Sequence, residues 1–531
     1  SPSPHYFFNR MRNDSAIGTD LIAKTQSDGW QLPYERYPFA TCELGGGIEV
    51  THHRRPIIKP MDIYAVSLVK LGDGNNLVGY YMYHGGTNPK GKLSSLQEST
   101  AVGSFCDVPE LSYDFQAPIR EYGQISETAK ELKLLSMFAH DYGETFCNMQ
   151  PQFAGDDCES TSVHTGDFQD AEDLSEFRMI TRRSGDCGYL FVNNYQRGYE
   201  MAEHKDVMLR VQTADGEISF PKQDIKNGAY FFYPFNFPLS DDVTLRWINQ
   251  TPLCNINRKL WFFYGNEKMQ YEADEKLSGQ VLISMDRIWA KYAWRMKKYP
   301  NILFFSALPI LETENGIEVI CRSDRAQKNC WIIMDATVED AKTWIDNGWK
   351  KPDIIPDFLH VEGDASTICV LSHDLTAADN QTVASFTYTD VNNCIIRKEK
   401  NVFHRAEKTD FSEAEACAID DTGKDYQEYV IRISYDKAYD AAKENIFLQI
   451  DFQADQAELY LNGEKISDQY FIGDVWEVSL KRFDFPTELI LRLYPLEEDD
   501  KIYLEMQPDY VNGRCCSLKD IRCVYEYKEK L

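Results

Sequence analysis

The sequence predicts a multidomain protein in which part of an α/β barrel of the (β/α)8 type is followed by β-sandwich or jelly-roll domains. The 531 residues are too many for one hydrophobic core. Strand-like and helix-like patterns alternate up to about residue 145, and short β-type runs separated by turn residues follow. We therefore expect a barrel portion at 1–145, a β-rich domain at 146–335, a mixed connecting region at 336–424 and a jelly-roll domain at 425–531.

The α/β portion is predicted from the order of its elements. A short buried strand at 39–42 ends at Glu43 and is followed by three glycines, and apolar residues at helical spacing occupy 60–71. A continuous apolar and aromatic run covers 77–83, and an amphipathic helix is predicted for 125–138. Since the carboxyl ends of the strands form the active site of such barrels, residues at these strand ends are candidates for function.

Beyond residue 145 the patterns are typical of antiparallel sheets. Asp215–Gly216 and Asn227–Gly228 are strong hairpin signals, and Asn462–Gly463 is a tight turn. Alternating apolar residues at 445–452 and 456–461 predict strands of the last domain. A helix is expected at 285–298, whereas 336–423 is mixed and predicts no single element type.

The charge and cysteine content restrict the class of partner. The chain has 56 basic and 84 acidic residues and a net charge of −28, which opposes binding to nucleic acids or anionic membranes and suits a neutral substrate. No apolar run approaches the roughly 20 residues that span a bilayer. The 14 cysteines are scattered without the spacing of a zinc site. Scattered cysteines are more often free thiols, which slightly favours the cytoplasm over secretion.

Five residues at strand ends and in the following loops are candidates for a site. Glu43 is a carboxylate between a buried strand and a glycine run, although it could also cap the next element or face solvent. Tyr81 and Asn88 offer a hydroxyl and an amide to sugar hydroxyls, or they belong to a core strand that ends in a turn. Asp114 and Phe115 follow Ser-Tyr in a loop, where the aspartate either contacts a ligand or anchors the loop.

These segments, taken in order between residues 37 and 123, resemble the closing part of the catalytic barrel in β-galactosidases of glycoside hydrolase family 35. The resemblance implies that Glu43 is the nucleophile at the end of the seventh strand, and that Tyr81 lies beside it in the sugar site. It implies substrate binding by Asn88, Asp114 and Phe115. Phe115 stands where some relatives have a tyrosine, so a hydroxyl contact is lost. The β-rich segment at 188–196 and the last domain resemble the accessory and galactose-binding-like modules of that family.

The resemblance implies a retaining β-galactosidase that releases terminal β-galactose through a covalent glycosyl-enzyme intermediate, without metal or organic cofactor. That chemistry needs two carboxyl groups about 5–5.5 Å apart. The family's acid/base glutamate lies in an Asn-Glu-Tyr context, but the only Asn-Glu pair here is Asn266–Glu267, followed by Lys268. Six barrel units also cannot fit upstream of Glu43. We therefore expect a fragment, or one piece of an enzyme whose barrel is completed by a separate chain or a missing segment.

The alternative is a non-catalytic carbohydrate-binding or truncated scaffold protein built mainly of the β-domains. Trp476 or Tyr460 would then stack on a sugar, although such aromatic residues usually fill the core of a sandwich. The two interpretations differ in where a bound sugar protects the protein. Protection is expected around Glu43 and Tyr81 for an enzyme, and beyond residue 423 for a binding module.

Overall fold

The structure, a computed structural model, is rich in strands and has few helices. It describes residues 4–9, 36–92, 96, 98–100, 103–153, 173–314, 316–325, 329–336, 340–375, 382–390, 401–404, 426–435 and 444–531. In this part of the chain no helix is both long enough and apolar enough to cross a membrane.

The first region contains a β-α-β unit. Its elements are β1 (Ala40–Gly45), β2 (Arg54–Arg55), α1 (Pro60–Gly72), β3 (Leu77–Tyr81), β4 (Gly86–Thr87), β5 (Ser112–Tyr113) and α2 (Glu127–Phe146). β1 and β3 pair in parallel with α1 between them, as the strand, helix, strand order of the sequence predicts. Within the described residues these two strands pair only with each other, so the structure does not show a closed barrel, which remains an expectation from the family resemblance.

The two helices begin at local signals in the sequence. Pro60 occupies the first position of α1, and the Asp62 carboxylate accepts a hydrogen bond of 2.8 Å from the Lys59 backbone N–H. Ser126 caps α2 by accepting from the Ala129 N–H. α2 is longer than predicted and continues to Phe146, because its apolar residues keep their helical spacing beyond 138.

Both helices pack against the β-rich region that follows. The Phe138 ring on α2 lies 5.3 Å from the Tyr189 ring and 4.8 Å from the Phe232 ring, measured between centroids. One hydrophobic core contains residues of α1, of α2 and of the neighbouring sheets. The β-α-β unit is therefore held from its helical side.

The central region consists mainly of antiparallel sheets. Its elements are β6 (Gln150–Gln152), β7 (Arg178–Ser184), β8 (Cys187–Asn194), β9 (His204–Val207), β10 (Arg210–Thr213), β11 (Gly216–Ser219), β12 (Gln223–Ile225), β13 (Ala229–Pro238), β14 (Thr244–Ile248), β15 (Thr251–Ile256), β16 (Leu260–Tyr264), β17 (Tyr271–Ala273), β18 (Val281–Met285), α3 (Arg287–Lys291), β19 (Ala293–Met296), β20 (Tyr299–Phe305), β21 (Ile310–Thr313), β22 (Gly316–Arg322), β23 (Asn329–Asp335), α4 (Asp340–Asp346), β24 (His360–Glu362) and β25 (Ile368–Asp374). The largest sheet has the order β17-β14-β13-β8-β7-β6, and two four-stranded sheets have the orders β15-β16-β18-β24 and β19-β20-β23-β25.

Two predictions for this region need correction. Asp215–Gly216 does join the hairpin β10–β11, but Asn227–Gly228 joins β12 to β13, which belong to different sheets. The turn chemistry was correct and the strand pairing was not, because pairing depends on distant partners. The helix expected at 285–298 is only α3, which Asp286 caps through the Trp289 N–H; the rest forms strand β19.

Two large sheets of the last region share one hydrophobic core. Its strands are β26 (Thr382–Asp390), β27 (Asn401–His404), β28 (Gln427–Tyr435), β29 (Asn445–Gln453), β30 (Gln456–Leu461), β31 (Glu464–Tyr470), β32 (Trp476–Ser479), β33 (Glu488–Tyr494), β34 (Leu496–Glu497), β35 (Tyr503–Leu504), β36 (Arg514–Cys515) and β37 (Ser517–Lys530). One sheet has the order β27-β26-β28-β33-β30-β31 and the other β21-β22-β37-β29-β32, so strands from the central region complete the second. Asn462–Gly463 joins β30 to β31 with positive φ at both residues, as a type I′ turn requires.

Candidate active site

Glu43 lies in an irregular part of β1. Thr41 pairs with Val78 and Leu44 with Tyr80, so Cys42 and Glu43 together oppose Gly79 alone, which is the arrangement of a β-bulge. The Glu43 side chain is exposed and makes no hydrogen bond or ion pair with another described residue. A bulge re-aims side chains, and here it leaves this carboxylate open to solvent.

The glycines after Glu43 allow three segments of the chain to meet. A Cβ on Gly46 would collide with the carbonyl oxygen of Met82, and a Cβ on Gly47 would collide with that of Phe115. Gly45 itself pairs with Tyr81 at the end of the parallel ladder. Only residues without a side chain permit this contact between backbones. The glycine run therefore brings together the ends of β1 and β3 and the loop that carries Phe115.

Tyr81, Tyr113 and Phe115 form an aromatic cluster at the end of β3. The Tyr81 and Tyr113 hydroxyl oxygens are 2.5 Å apart, and the Phe115 ring centroid lies 5.7 Å from that of Tyr81 and 4.5 Å from that of Tyr113. Tyr81 is 42% exposed. Burial raises the pKa of Tyr113, with the neighbouring Tyr81 adding to the effect. The cluster presents an aromatic surface with two hydroxyl groups, which suits contact with a sugar.

Asn88 and Asp114 contact the protein backbone in this structure. The Asn88 side-chain amide donates to the Glu110 carbonyl at 3.2 Å. The Asp114 carboxylate accepts from Arg120 Nε at 2.6 Å and from the Glu121 N–H at 2.8 Å. The contacts of Asp114 lie within its own loop, as expected for a residue that anchors the loop. Substrate binding by Asn88 or Asp114 remains a prediction.

Two further carboxyl groups near the cluster were not singled out from the sequence. Burial, with a smaller contribution from Glu98, raises the pKa of Glu49 to about 7. Glu49 borders a small cleft together with Phe115. Burial also raises the pKa of Glu121 to about 7, although the Thr87 and Ser112 hydroxyls donate to its carboxylate at 2.5 and 2.7 Å. Glu121 belongs to the motif at 112–123 that resembles the family, whereas no local pattern marks Glu49; burial is the largest cause of both pKa shifts.

The segment 112–115 contacts both this cluster and a second surface. Tyr113 and Phe115 contact Tyr81, whereas Ser112 and Asp114 border a polar cleft of about 100 Å³ against the last region. Neither Glu43 nor Tyr81 borders that cleft. Segment 112–115 is thus in contact with both the aromatic cluster and the last region.

The aromatic residues suggested as sugar platforms in the last region are engaged in packing. Trp476 is 6% exposed and its ring lies 6.3 Å from that of Phe452 within the core. The Tyr460 hydroxyl donates to the Glu458 carboxylate at 2.6 Å, and the Arg492 guanidinium lies 4.4 Å from the ring centroid. These contacts agree with the core interpretation of Trp476, whereas Tyr460 is partly buried and is held by its contacts with Glu458 and Arg492.

Among the described residues, no group of three or more His, Cys, Asp or Glu side chains is arranged to hold a metal ion. The cysteines in the same part of the chain are free thiols. The candidate residues near Tyr81 bring together carboxylate, hydroxyl and aromatic groups.

Comparison with protein families supports the resemblance to glycoside hydrolase family 35. The model described as glycosyl hydrolases family 35 matches residues 12–138, about a quarter of the chain. The matched range contains β1 to β5, α1, the first part of α2 and all five candidate residues. Residues 12–138 therefore match the family 35 model, and this match confirms the resemblance inferred from the motifs.

Proposed function

We propose that this protein is part of a retaining β-galactosidase in which Glu43 is the nucleophile. The observation that carries the proposal is the position of Glu43 within the matched segment, on an exposed bulge at the end of a parallel strand. Glu43 attacks the anomeric carbon of a terminal β-galactose residue and displaces the leaving group. Water then hydrolyses the covalent glycosyl-enzyme intermediate.

The proposed mechanism needs a second carboxyl group as acid and base. Its pKa must be raised so that it is protonated when the leaving-group oxygen departs. We propose that a further part of the barrel supplies this glutamate, either on a separate chain or on a segment outside this sequence. Exposed apolar side chains at the β1–β3 unit, Tyr37 at 65% and Leu77 at 58%, are consistent with burial by additional barrel elements.

Substrate contact is proposed for the aromatic cluster first. The Tyr81 and Tyr113 hydroxyls would bond to sugar hydroxyls, and Phe115 would lie against the apolar face of the ring. Asn88 and Asp114 would act mainly by shaping the loops around this surface, with direct contact to the sugar as the remaining possibility. The net charge of −28 favours a neutral galactoside over an anionic one.

The test is hydrolysis of a chromogenic β-galactoside after intact-mass analysis has identified every chain in the preparation. We expect turnover only when a barrel portion that contains an Asn-Glu-Tyr segment is present. Glu43→Gln should then reduce kcat by about 10⁴-fold or more. Cys42→Ser, an exposed change in the same bulge, is the control and should retain activity. Full activity of Glu43→Gln would refute the proposal.

A further inference from the structure

The loop that carries Tyr113 and Phe115 is held by a residue more than 350 positions away in the sequence. β31 is the outer strand of a sheet in the last region, and its Asp468 lies against the backbone of 110–112. The Asp468 carboxylate accepts hydrogen bonds from three consecutive backbone N–H groups: Glu110 at 2.6 Å, Leu111 at 2.9 Å and Ser112 at 3.1 Å. The Asp468 side chain is fully buried.

This arrangement constrains the loop strongly. Backbone N–H groups that are removed from water require an acceptor, and one carboxylate supplies it for all three. Hydrogen bonds to an ionised acceptor are stronger than those between neutral groups. Without Asp468 the three donors would be left without this partner, and the segment would lose the interaction that defines its position.

The position of segment 110–112 affects the geometry of the candidate site. Ser112 is followed by Tyr113, which contacts Tyr81, and the Leu111 carbonyl accepts from the Asn88 N–H at 2.7 Å. The Ser112 hydroxyl donates to Glu121. The hydrogen bond to Asn88 therefore begins within the stretch that Asp468 holds, and Tyr113 of the aromatic cluster follows that stretch directly.

Other contacts join the same strand to the same loop. Lys465 forms an ion pair with Glu110, and the Tyr122 hydroxyl lies 3.2 Å from Ser467 Oγ. A separate contact joins the two regions elsewhere, where the buried Arg55 forms an ion pair with Asp455. Asp455 contributes to docking of the regions, but it does not contact residues 110–112. It therefore offers a matched comparison with Asp468.

We propose that Asp468 is a positioning residue: it places Tyr113 and Phe115 opposite Tyr81 and so sets the affinity of the site for galactose. The last region thereby contributes to the site of Glu43 without touching substrate. The affinity part of this proposal rests on the proposed function, whereas the positioning part does not.

The test compares Asp468→Asn with Asp455→Asn and Glu464→Gln in the full chain. The asparagine at 468 keeps the volume but removes the charge and one acceptor oxygen. We expect amide hydrogen exchange at 110–113 to become about tenfold faster in Asp468→Asn, as expected for loss of a charged hydrogen-bond acceptor. Exchange at these positions should remain unchanged in Asp455→Asn and in Glu464→Gln, an exposed position on the same strand.

The second measurement is galactose affinity by titration calorimetry, with KM and kcat wherever turnover is measurable. Asp468→Asn should weaken galactose binding or raise KM by about tenfold, with kcat changed by less than about twofold, because the affected residues bind rather than react. Unchanged exchange at 110–113, or equal effects in Asp455→Asn, would overturn the positioning role. Faster exchange without galactose binding by the wild-type protein, measured with the barrel portion that contains the Asn-Glu-Tyr segment present, would instead overturn the proposed function and leave the positioning role intact.

Discussion

The two sides of the β-α-β unit differ sharply in burial. Nine of the 13 residues of α1 are buried, whereas β1 has one buried residue of six and β3 has none of five. The helical side belongs to a large core shared with the central sheets, and the strand side carries Glu43 and Tyr81. In a complete barrel the strand side would also be packed. The comparison teaches that folding of this segment depends on its helices, while its proposed chemistry depends on the open side.

The largest effect on stability is expected on the helical side. Phe138 is fully buried among aromatic rings, so Phe138→Ala should lower the free energy of unfolding by about 3–5 kcal/mol. Glu43→Gln, on the exposed side, should change it by less than about 0.5 kcal/mol. Urea unfolding followed by far-UV circular dichroism measures the change in the free energy of unfolding for both variants, taken from the first unfolding transition. Similar losses from the two substitutions would show that the sides do not differ as described.

The bulge predicts the next largest effect. A Cβ on Gly79 would lie 3.0 Å from the Thr41 carbonyl oxygen and 3.2 Å from that of Cys42. Gly79→Ala should therefore displace the bulge and destabilise the protein by about 1–3 kcal/mol. It should also reduce turnover wherever turnover is measurable, since Glu43 sits in the bulge.

Gly86→Ala is the matched control for the bulge, because a Cβ there would meet no atom within 4 Å. Equal melting temperatures for Gly79→Ala and the wild-type protein would contradict the tight contact between β1 and β3. A lower melting temperature for Gly86→Ala but not for Gly79→Ala would also contradict this tight contact.

A smaller effect is expected from pH near the site. Burial, with Glu98 second, raises the pKa of Glu49 to about 7. The folded state thus binds a proton more tightly than the unfolded state, so the contribution of Glu49 to stability falls as pH rises from about 4.5 to about 7. Glu49→Gln should be neutral at pH 4.5 and stabilising by about 1 kcal/mol at pH 8, a value reduced because the side chain is partly exposed. Thermal unfolding across this range measures the difference, and a larger gain at low pH would reverse the assignment.

The smallest effect is expected from restoring a hydroxyl at position 115. Phe115→Tyr should change the free energy of unfolding by less than about 0.5 kcal/mol, because the side chain lies on the partly open surface. If its new hydroxyl reaches the sugar, the KM for a β-galactoside should fall by about threefold to tenfold, the gain expected from one hydrogen bond. An increase in KM would indicate that the phenyl ring itself contacts the sugar closely.

Local patterns were sufficient for much of the fold. The strands around Glu43 and Tyr81 were predicted from apolar runs bounded by glycines, and the first part of α2 from its amphipathic pattern. The Asn462–Gly463 turn was predicted from residues that tolerate positive φ. Prediction failed where partners are distant, as for Asn227–Gly228, which joins strands of two sheets. The proposed division at 145, 335 and 424 remains a prediction, with β22 and β37 pairing across it.

The sequence by itself determined the order of the elements, the family motif and the position of Glu43 before a glycine run. Each of these depends on interactions within a few residues, or on a motif that can be recognised without coordinates. Only the tertiary structure decided that Glu43 lies in a bulge against Gly79 and that Glu49 has a raised pKa. It also decided that Asp468 holds the loop before Tyr113. Burial and hydrogen bonding between segments hundreds of residues apart leave no local pattern, because they arise when separate sheets pack together.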